Sequence, residues 1–381
     1  MSIHETAERR DLLASIRGFC KAEIDPIVAE HERNKTFPFE LLPRLAEFGY
    51  IGGWLPEARG GLGIDRVTWA LMMEELGYWW PSLRTMINIT NGPIDRLVEA
   101  QPDVRDKYLP PLLAGEAKVF NAITEPDVGS NVAEIKTRAD WDGTQWVING
   151  QKLWISNGAW GEWGVVIART FSPTCAGELS AFLVDKAVSP FDAGRVDTMV
   201  LQSSGTGELT FRDCKVPAGN LLGDEGAALK NTLVFLGVAR INVAMGALGA
   251  ARRAYDLSVE YAKTRHQFGR PIGSFQLVQA HIVEMRAKLD AARALCLNAA
   301  ETLDRGDSGR LETSIAKYYT CSVAHEIADA AVAVHGAMGY STEYPIERLF
   351  RDTRGASIPE GTTEVQTLVV GREILGLSAI K

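Results

Sequence analysis

Apolar residues recur every three or four positions through the first third of the chain, as in Leu12, Leu13, Ile16 and Phe19 and again in Leu41, Leu42, Leu45 and Phe48. That spacing lines one face of an α-helix and predicts a helical segment from about Ser2 to Gly115. Turns such as Pro56 to Gly63 punctuate it, and a short helix over Asp103 to Leu113 closes it. Between about Lys118 and Gly226 the pattern changes to alternating, β-branched and aromatic runs separated by glycine and asparagine. Trp146 to Ile155, with Asn149-Gly150 at its middle, predicts two strands around a hairpin turn. Trp163 to Ala168, Ser180 to Val184 and Glu208 to Phe211 are further predicted strands. From Ala227 the helical spacing returns in longer stretches: Leu233 to Thr264, Ser274 to Arg305, Leu311 to His335 and Thr363 to Leu377. Their alanine-rich, thinly charged faces suit helix packed on helix and a subunit interface. The expected fold class is α+β multidomain, with an N-terminal helical domain (1–117), a middle β-domain (118–226) and a C-terminal helical bundle (227–381).

Composition narrows the functional classes. A chain of 381 residues, 46% hydrophobic and 23% charged, is that of a soluble globular protein with room for two or three domains. Its net charge of −8 argues against nucleic acid or an anionic membrane as the main partner. The first sixteen residues are charged throughout and do not resemble a signal peptide. No uninterrupted apolar run approaches the roughly 18 residues of a membrane span. Five cysteines, scattered singly, suit a reduced cytoplasmic protein and give neither a disulfide framework nor a metal site.

Candidate chemistry concentrates in five short segments. In Ser357 to Gln366, Pro359 fixes φ before Glu360 and Gly361 frees it afterwards, so the carboxylate can leave regular structure and point into a cavity as a general base. In Asn121 to Asn131, Gly129-Ser130 offers backbone N–H groups and a hydroxyl to an anion or carbonyl, and Thr124 adds a donor. Lys152 to Gly158 places Trp154 beside small hydrogen-bonding residues, a wall for a flat conjugated ring. Thr264 to Gln276 is a basic loop in which arginine suits phosphate and phenylalanine can cover an adenine. His335 to Tyr340 carries glycines that permit close backbone approach.

In this order and spacing the five segments resemble the acyl-CoA dehydrogenase family over essentially the whole chain. The resemblance rests on Ile123-Thr124-Glu125-Pro126 with Gly129-Ser130, on Trp154 to Gly158, on Arg265 with Gln267 to Pro271, on His335-Gly336 to Gly339-Tyr340, and on Glu360-Gly361-Thr362. It implies FAD as cofactor, an acyl-CoA substrate, an electron-transfer flavoprotein as electron acceptor and a homotetramer. Glu360 matches the family's base, which removes the α-proton of an acyl thioester while the β-hydride passes to the flavin. Ile123, Thr124, Trp154 and Ser156 match residues around the flavin ring, and Gly129 and Ser130 lie by its phosphates, Ser130 also by the thioester. Arg265, Gln267, Phe268 and Gln276 match residues that reach the FAD of a neighbouring subunit. Gly336, Thr362 and Glu364 lie along the same cofactor, and Arg240 and Gly361 fall on the substrate side. One branch of the family draws its base from the helix containing Arg240, but Gly237 to Arg252 holds no Asp or Glu here, which leaves Glu360.

Three positions depart from the family pattern: Pro359 where relatives often have tyrosine, Ala333 for a glutamine and Asn131 for an aspartate. Arg84, on the stretch that the resemblance places at the far end of the acyl pocket, can hold a distal carboxylate. Trp79 and Trp80 are expected to narrow that pocket towards a short or compact acyl group. An oxidase, an oxidative decarboxylase and a dehydrogenase of carrier-protein-bound acyl groups remain as alternatives on the same fold.

Overall fold

The computed structural model describes residues 6–379. Helices α1 (Ala7–Phe19), α2 (Asp25–Asn34), α3 (Leu41–Glu47), α4 (Arg66–Trp79), α5 (Pro81–Asn91), α6 (Ile94–Val98) and α7 (Pro102–Leu113) come first. Strands follow: β1 (Val119–Ala122), β2 (Arg138–Trp141), β3 (Gln145–Ile155), β4 (Trp163–Phe171), β5 (Ala176–Asp185), β6 (Asp192–Arg195), β7 (Gly207–Pro217) and β8 (Leu221–Leu222). The chain then returns to helix in α8 (Ala228–Thr264), α9 (Gln276–Asp304), α10 (Arg310–His335), α11 (Ile346–Gly355) and α12 (Thr363–Leu375), with a small hairpin of β9 (His266–Gln267) and β10 (Arg270–Pro271) between α8 and α9. The order of helix, sheet and helix is the one the residue pattern predicts.

The strands form one sheet in the order β6-β7-β3-β2-β4-β5-β8. β1 and β2 share an edge of β4: Val119 pairs with Trp163 at its start, and Arg138 with Arg169 further along. The aromatic and β-branched residues of alternate positions, among them Phe120, Ile148, Val166, Phe182, Leu209 and Phe211, make the sheet's own core. A larger core joins the helices at both ends of the chain.

The expected hairpin at Asn149-Gly150 is not one. β3 runs through it as a single strand, with a register shift between Ile148 and Gly150 against β7. Asn149 exchanges two side-chain hydrogen bonds with Asp213 of β7, accepting from its backbone N–H at 2.7 Å and donating to its carboxylate at 3.2 Å. Gly150 has φ 147°, and a Cβ there would meet Thr137, so the glycine serves a bulge where another strand packs close, not a chain reversal.

α8 carries an 18-residue window of mean hydropathy 1.7, enough by length and composition to cross a membrane, but 75% of that window is buried inside the molecule. It is the central core helix, packed against α4 and α10. Its apolar character exceeds what the residue pattern alone predicted. Where α4 and α8 cross, their backbones touch: a Cβ on Gly77 would strike the Gly246 backbone, and one on Gly249 would strike the carbonyl of Glu74. Beside this crossing the buried Glu74 and Glu75 are matched by Arg252, at 2.9 and 3.0 Å, and by Arg293 and Arg17. All five cysteines are buried and unpaired.

Candidate active site

Glu360 lies in the turn between α11 and α12 in the left-handed region, φ 58°. Thr362 caps α12 by accepting from the Val365 N–H, so Glu360 precedes the helix and is free of its first turn. Two buried side chains hold the turn. Gln366 Nε2 donates to the carbonyls of Glu360 and Gly361 at 3.1 and 2.9 Å, and Lys317 Nζ, from α10, donates to the Gly361 carbonyl at 2.7 Å.

The carboxylate of Glu360 faces α5, α8 and α10. Asn88 Nδ2 approaches its Oε1 at 3.5 Å. Asn88 is itself oriented: its Oδ1 accepts from Asn242 at 2.9 Å, whose Oδ1 accepts from the Trp69 indole at 2.9 Å. Arg84 and Arg240, 6% and 7% exposed, and Lys317, 1% exposed, surround the acid. Burial pushes the Glu360 carboxyl above its ordinary range, and Lys317, Arg84, Arg240 and the Asn88 amide partly offset that rise. Burial also lowers the Arg84 guanidinium to about 10, with Glu360 the strongest opposing charge. Among the described residues the Nε atoms of Arg84 and Arg240 find no hydrogen-bond partner, although Arg240 Nη1 donates to Ser314 Oγ at 3.2 Å. Unmatched buried donors are costly.

Arg84 lines a small cleft together with Pro81, Leu201, Gly246, Asp352 and Pro359 among others. Gly246 leaves the space that the arginine fills: a Cβ there would stand 2.5 Å from Arg84 Nε. The expected narrowing by tryptophans is not what the structure shows. Trp80 is turned into the core, where its indole donates to Glu32 Oε1 at 2.7 Å, and Trp79 packs under Arg253. Neither is among the residues that line the cleft.

A second surface forms on the sheet. Ile123 and Thr124 follow β1, Trp154 lies at the end of β3 and Ser156 just after it; Leu153 N–H donates to the Thr124 carbonyl at 3.0 Å and brings the two stretches together. Trp154 is 56% exposed in left-handed backbone, φ 64°. Behind it the buried Lys152 Nζ bonds Glu125 at 2.9 Å and the Ile123 carbonyl at 2.8 Å. The result is a surface whose exposed face is the Trp154 indole, backed by a buried ion pair. Asn121 of β1 donates to the Ile89 carbonyl of α5 at 2.9 Å, which ties this platform to the helix that carries Asn88 and Arg84. Gly129 and Ser130 are exposed in the following loop.

The remaining predicted residues fall elsewhere. Arg265, Gln267, Phe268 and Gln276 occupy the β9–β10 hairpin and the start of α9, all exposed, Phe268 at 92% with φ 50°. Gly336 ends α10, exposed, with open space where a Cβ would go, and Glu364 is exposed in the first turn of α12. Residue reading missed Asn88, Lys317 and Gln366. Lys317 had a signal: it falls on the same helical stripe as Thr313, Ala316, Thr320 and Cys321, a lysine where α10 is otherwise apolar or small.

A partly buried, raised carboxylate among buried cations, and a strand end carrying an exposed tryptophan, thus share one helix–sheet–helix chain. Comparison with known proteins gives the family. Models of the acyl-CoA dehydrogenase N-terminal, middle and C-terminal domains match residues 6–116, 121–214 and 227–375. An acyl-CoA dehydrogenase of Bacillus subtilis is 33% identical over 377 residues, 98% of this chain and 100% of that one. The caffeyl-CoA reductase-Etf complex subunit of Acetobacterium woodii is 34% identical over 365 residues, 94% of this chain and 96% of that one. The crystal structure of a glutaryl-CoA dehydrogenase from Mycobacterium smegmatis in complex with FADH2 matches with a TM-score of 0.92 at 28% identity, covering 99% of this chain and 97% of that one. The chain belongs to the acyl-CoA dehydrogenase family and is an FAD-dependent enzyme of acyl-CoA oxidation–reduction.

Proposed function

We propose that this enzyme dehydrogenates a compact acyl-CoA across its α,β-bond, that Glu360 removes the α-proton, and that Arg84 holds a carboxylate at the far end of the acyl group. The observation that carries this reading is the Glu360 carboxylate facing three buried cations, of which Arg84 has an unpartnered Nε and opens on the cleft. An α-proton beside a thioester is weakly acidic, so its removal needs a desolvated base and stabilisation of the developing enolate charge. Desolvation of the partly buried Glu360 favours the first, and the buried Arg240 beside it would serve the second. A fixed guanidinium suits a distal carboxylate because it binds it through two parallel donors. That one structural neighbour is a glutaryl-CoA dehydrogenase agrees with a dicarboxylic substrate.

The FAD contributes the acceptor for the β-hydride. The exposed, rigidly backed platform of Ile123, Thr124, Trp154 and Ser156 fits a flat ring. Gly129 and Ser130 would meet the FAD phosphates, and Ser130 and Gly361 the thioester. Gly336, Thr362 and Glu364 would line the same cofactor. Arg265, Gln267, Phe268 and Gln276 stand exposed and would complete the FAD site of a neighbouring subunit, which agrees with a homotetramer. An electron-transfer flavoprotein as redox partner is supported by the Etf complex in which one relative is named.

A second reading runs the same site in reverse, as an enoyl-thioester reductase. The reductase name of that relative favours it, and a raised Glu360 carboxyl is suited to deliver the proton.

Anaerobic titration of the holoenzyme with butyryl-, isobutyryl-, hexanoyl-, succinyl- and glutaryl-CoA tests the proposal by flavin bleaching. Bleaching by the dicarboxylic thioesters, with the preference lost in Arg84→Ala, is expected. Equal bleaching by plain short-chain thioesters, unaffected by Arg84→Ala, would make Arg84 structural. Wild-type bleaching by Glu360→Gln would remove Glu360 as base. Bleaching by no saturated thioester, with reoxidation of the reduced enzyme by enoyl thioesters, would select the reductase.

A further inference from the structure

We infer that Lys317 is a positioning residue for the reaction: its ammonium fixes the Gly361 carbonyl, and through it the left-handed turn that aims the Glu360 carboxylate. The inference rests on Glu360 being the base.

The geometry is unusual for a lysine. Lys317 is among the largest fully buried side chains of the protein, and among the described residues it forms no ion pair. Its Nζ donates at 2.7 Å to a neutral acceptor, the Gly361 carbonyl. Burying an ammonium without a matched anion is costly, so helix packing gives no reason to place one on the buried stripe of α10. Its target is the residue after Glu360, and a glutamate in left-handed backbone, φ 58°, persists only where neighbours over-determine it. Lys317 and Gln366 supply that determination from two helices. They converge on the Gly361 carbonyl at 2.7 and 2.9 Å, with Gln366 also bonded to the Glu360 carbonyl. Loss of the lysine leaves one donor on a turn whose preferred conformation lies elsewhere.

The same ammonium acts on the carboxylate. Glu360 is faced by Arg84 of α5, Arg240 of α8 and Lys317 of α10, together with the neutral Asn88, and Lys317 exerts the largest of the three charge effects. Lys317 is faced in turn by Cys321 on its own helix, by Glu360 and Glu364, and by Arg240, beside which Arg310 also lies. The Lys317 charge favours the ionised base, so its removal raises the pH at which Glu360 becomes competent.

The test is the pH dependence of kcat and KM for the Lys317→Met, Lys317→Gln and Lys317→Arg holoenzymes, with Glu360→Gln in parallel. A misdirected base costs about tenfold to a hundredfold in kcat, with KM little changed, in Lys317→Met. The acid limb of its profile should move to higher pH, because the strongest of the three favourable charges is gone. Lys317→Arg should return the limb towards its wild-type position. Lys317→Gln, which keeps a donor without the charge, should show the shifted limb with a smaller loss of kcat, and it carries the test if Lys317→Met does not fold. A wild-type kcat and acid limb in Lys317→Met, or an unmoved limb in Lys317→Gln, would overturn the inference. If Glu360→Gln is inactive while the lysine variants behave as wild type, only the role of Lys317 fails; if Glu360→Gln turns over normally, the base assignment itself is wrong.

Discussion

Lys152→Met offers a quantitative test of how the Trp154 surface is supported. Lys152 is fully enclosed, bonds the Glu125 carboxylate at 2.9 Å and holds the Ile123 carbonyl at 2.8 Å. Glu125 also accepts the backbone N–H groups of Lys136 and Thr137 at 2.7 and 2.8 Å. Burial lowers the Lys152 ammonium to about 8, with Glu125 opposing the fall. Removing one partner strands a buried carboxylate and an unmet carbonyl, a loss of about 3–5 kcal/mol. At about 2 °C per kcal/mol for a large domain, the melting midpoint should drop by about 6–10 °C. The assay is a thermal ramp of the holoenzyme read by circular dichroism and by flavin release. Glu125→Gln combined with Lys152→Met removes both charges and should recover most of the loss, since a buried ion pair replaced as a unit is often close to neutral. A Lys152→Met melt within about 1 °C of wild type, or a double variant no better than the single, would refute the reasoning.

Two further predictions follow from the acyl side and the domain junction. Gly246→Ala places a methyl 2.5 Å from Arg84 Nε and should displace the guanidinium, so flavin loading is kept while any preference for dicarboxylic thioesters in the bleaching panel falls by about tenfold, the value of one good charge-assisted contact. Asp352, buried and repelled by Glu32, is raised to about 7. A carboxyl raised in the folded state contributes stability that is fully present below its unfolded value of about 4 and is lost as pH rises through about 7. Asp352→Asn should therefore flatten the melting-temperature profile between pH 5 and 8 relative to wild type, and parallel profiles would show that Asp352 does not titrate there.

Much of the candidate site was legible because its signals are local. Glu360 is bracketed by proline and glycine, and Thr362 lies where a helix cap belongs, so the turn and its carboxylate follow from neighbouring residues alone. The long helices were legible for the same reason: their apolar spacing repeats over many turns. What was lost depends on distant partners. Asn149-Gly150 reads as a hairpin turn by every local rule, and only Asp213, more than sixty residues on, converts it to a bulge. Trp80 has the composition of a pocket wall, and Glu32 of α2 claims its indole for the core. The short strands β1, β2 and β6 are too brief for alternation to register. Asn88 becomes a partner of the base only because Asn242 and Trp69, on two other helices, orient it.

The backbone contact of α4 with α8 has a consequence for how substrate range can change in this enzyme. Helices separated by a layer of side chains can slide or roll as those side chains repack. Gly77, Gly246 and Gly249 remove that layer, so main chain rests on main chain and the floor of the cleft beside Arg84 has no bearing on which to turn. Its dimensions are set by the crossing, and the tip of Arg84 reaches a fixed depth above it. If the proposed acyl site is this cleft, new acyl groups must be admitted one side chain at a time, at positions such as Arg84, Ala247, Ala250 and Pro359. Selection can trim or extend the cleft wall there while the scaffold behind it stays still.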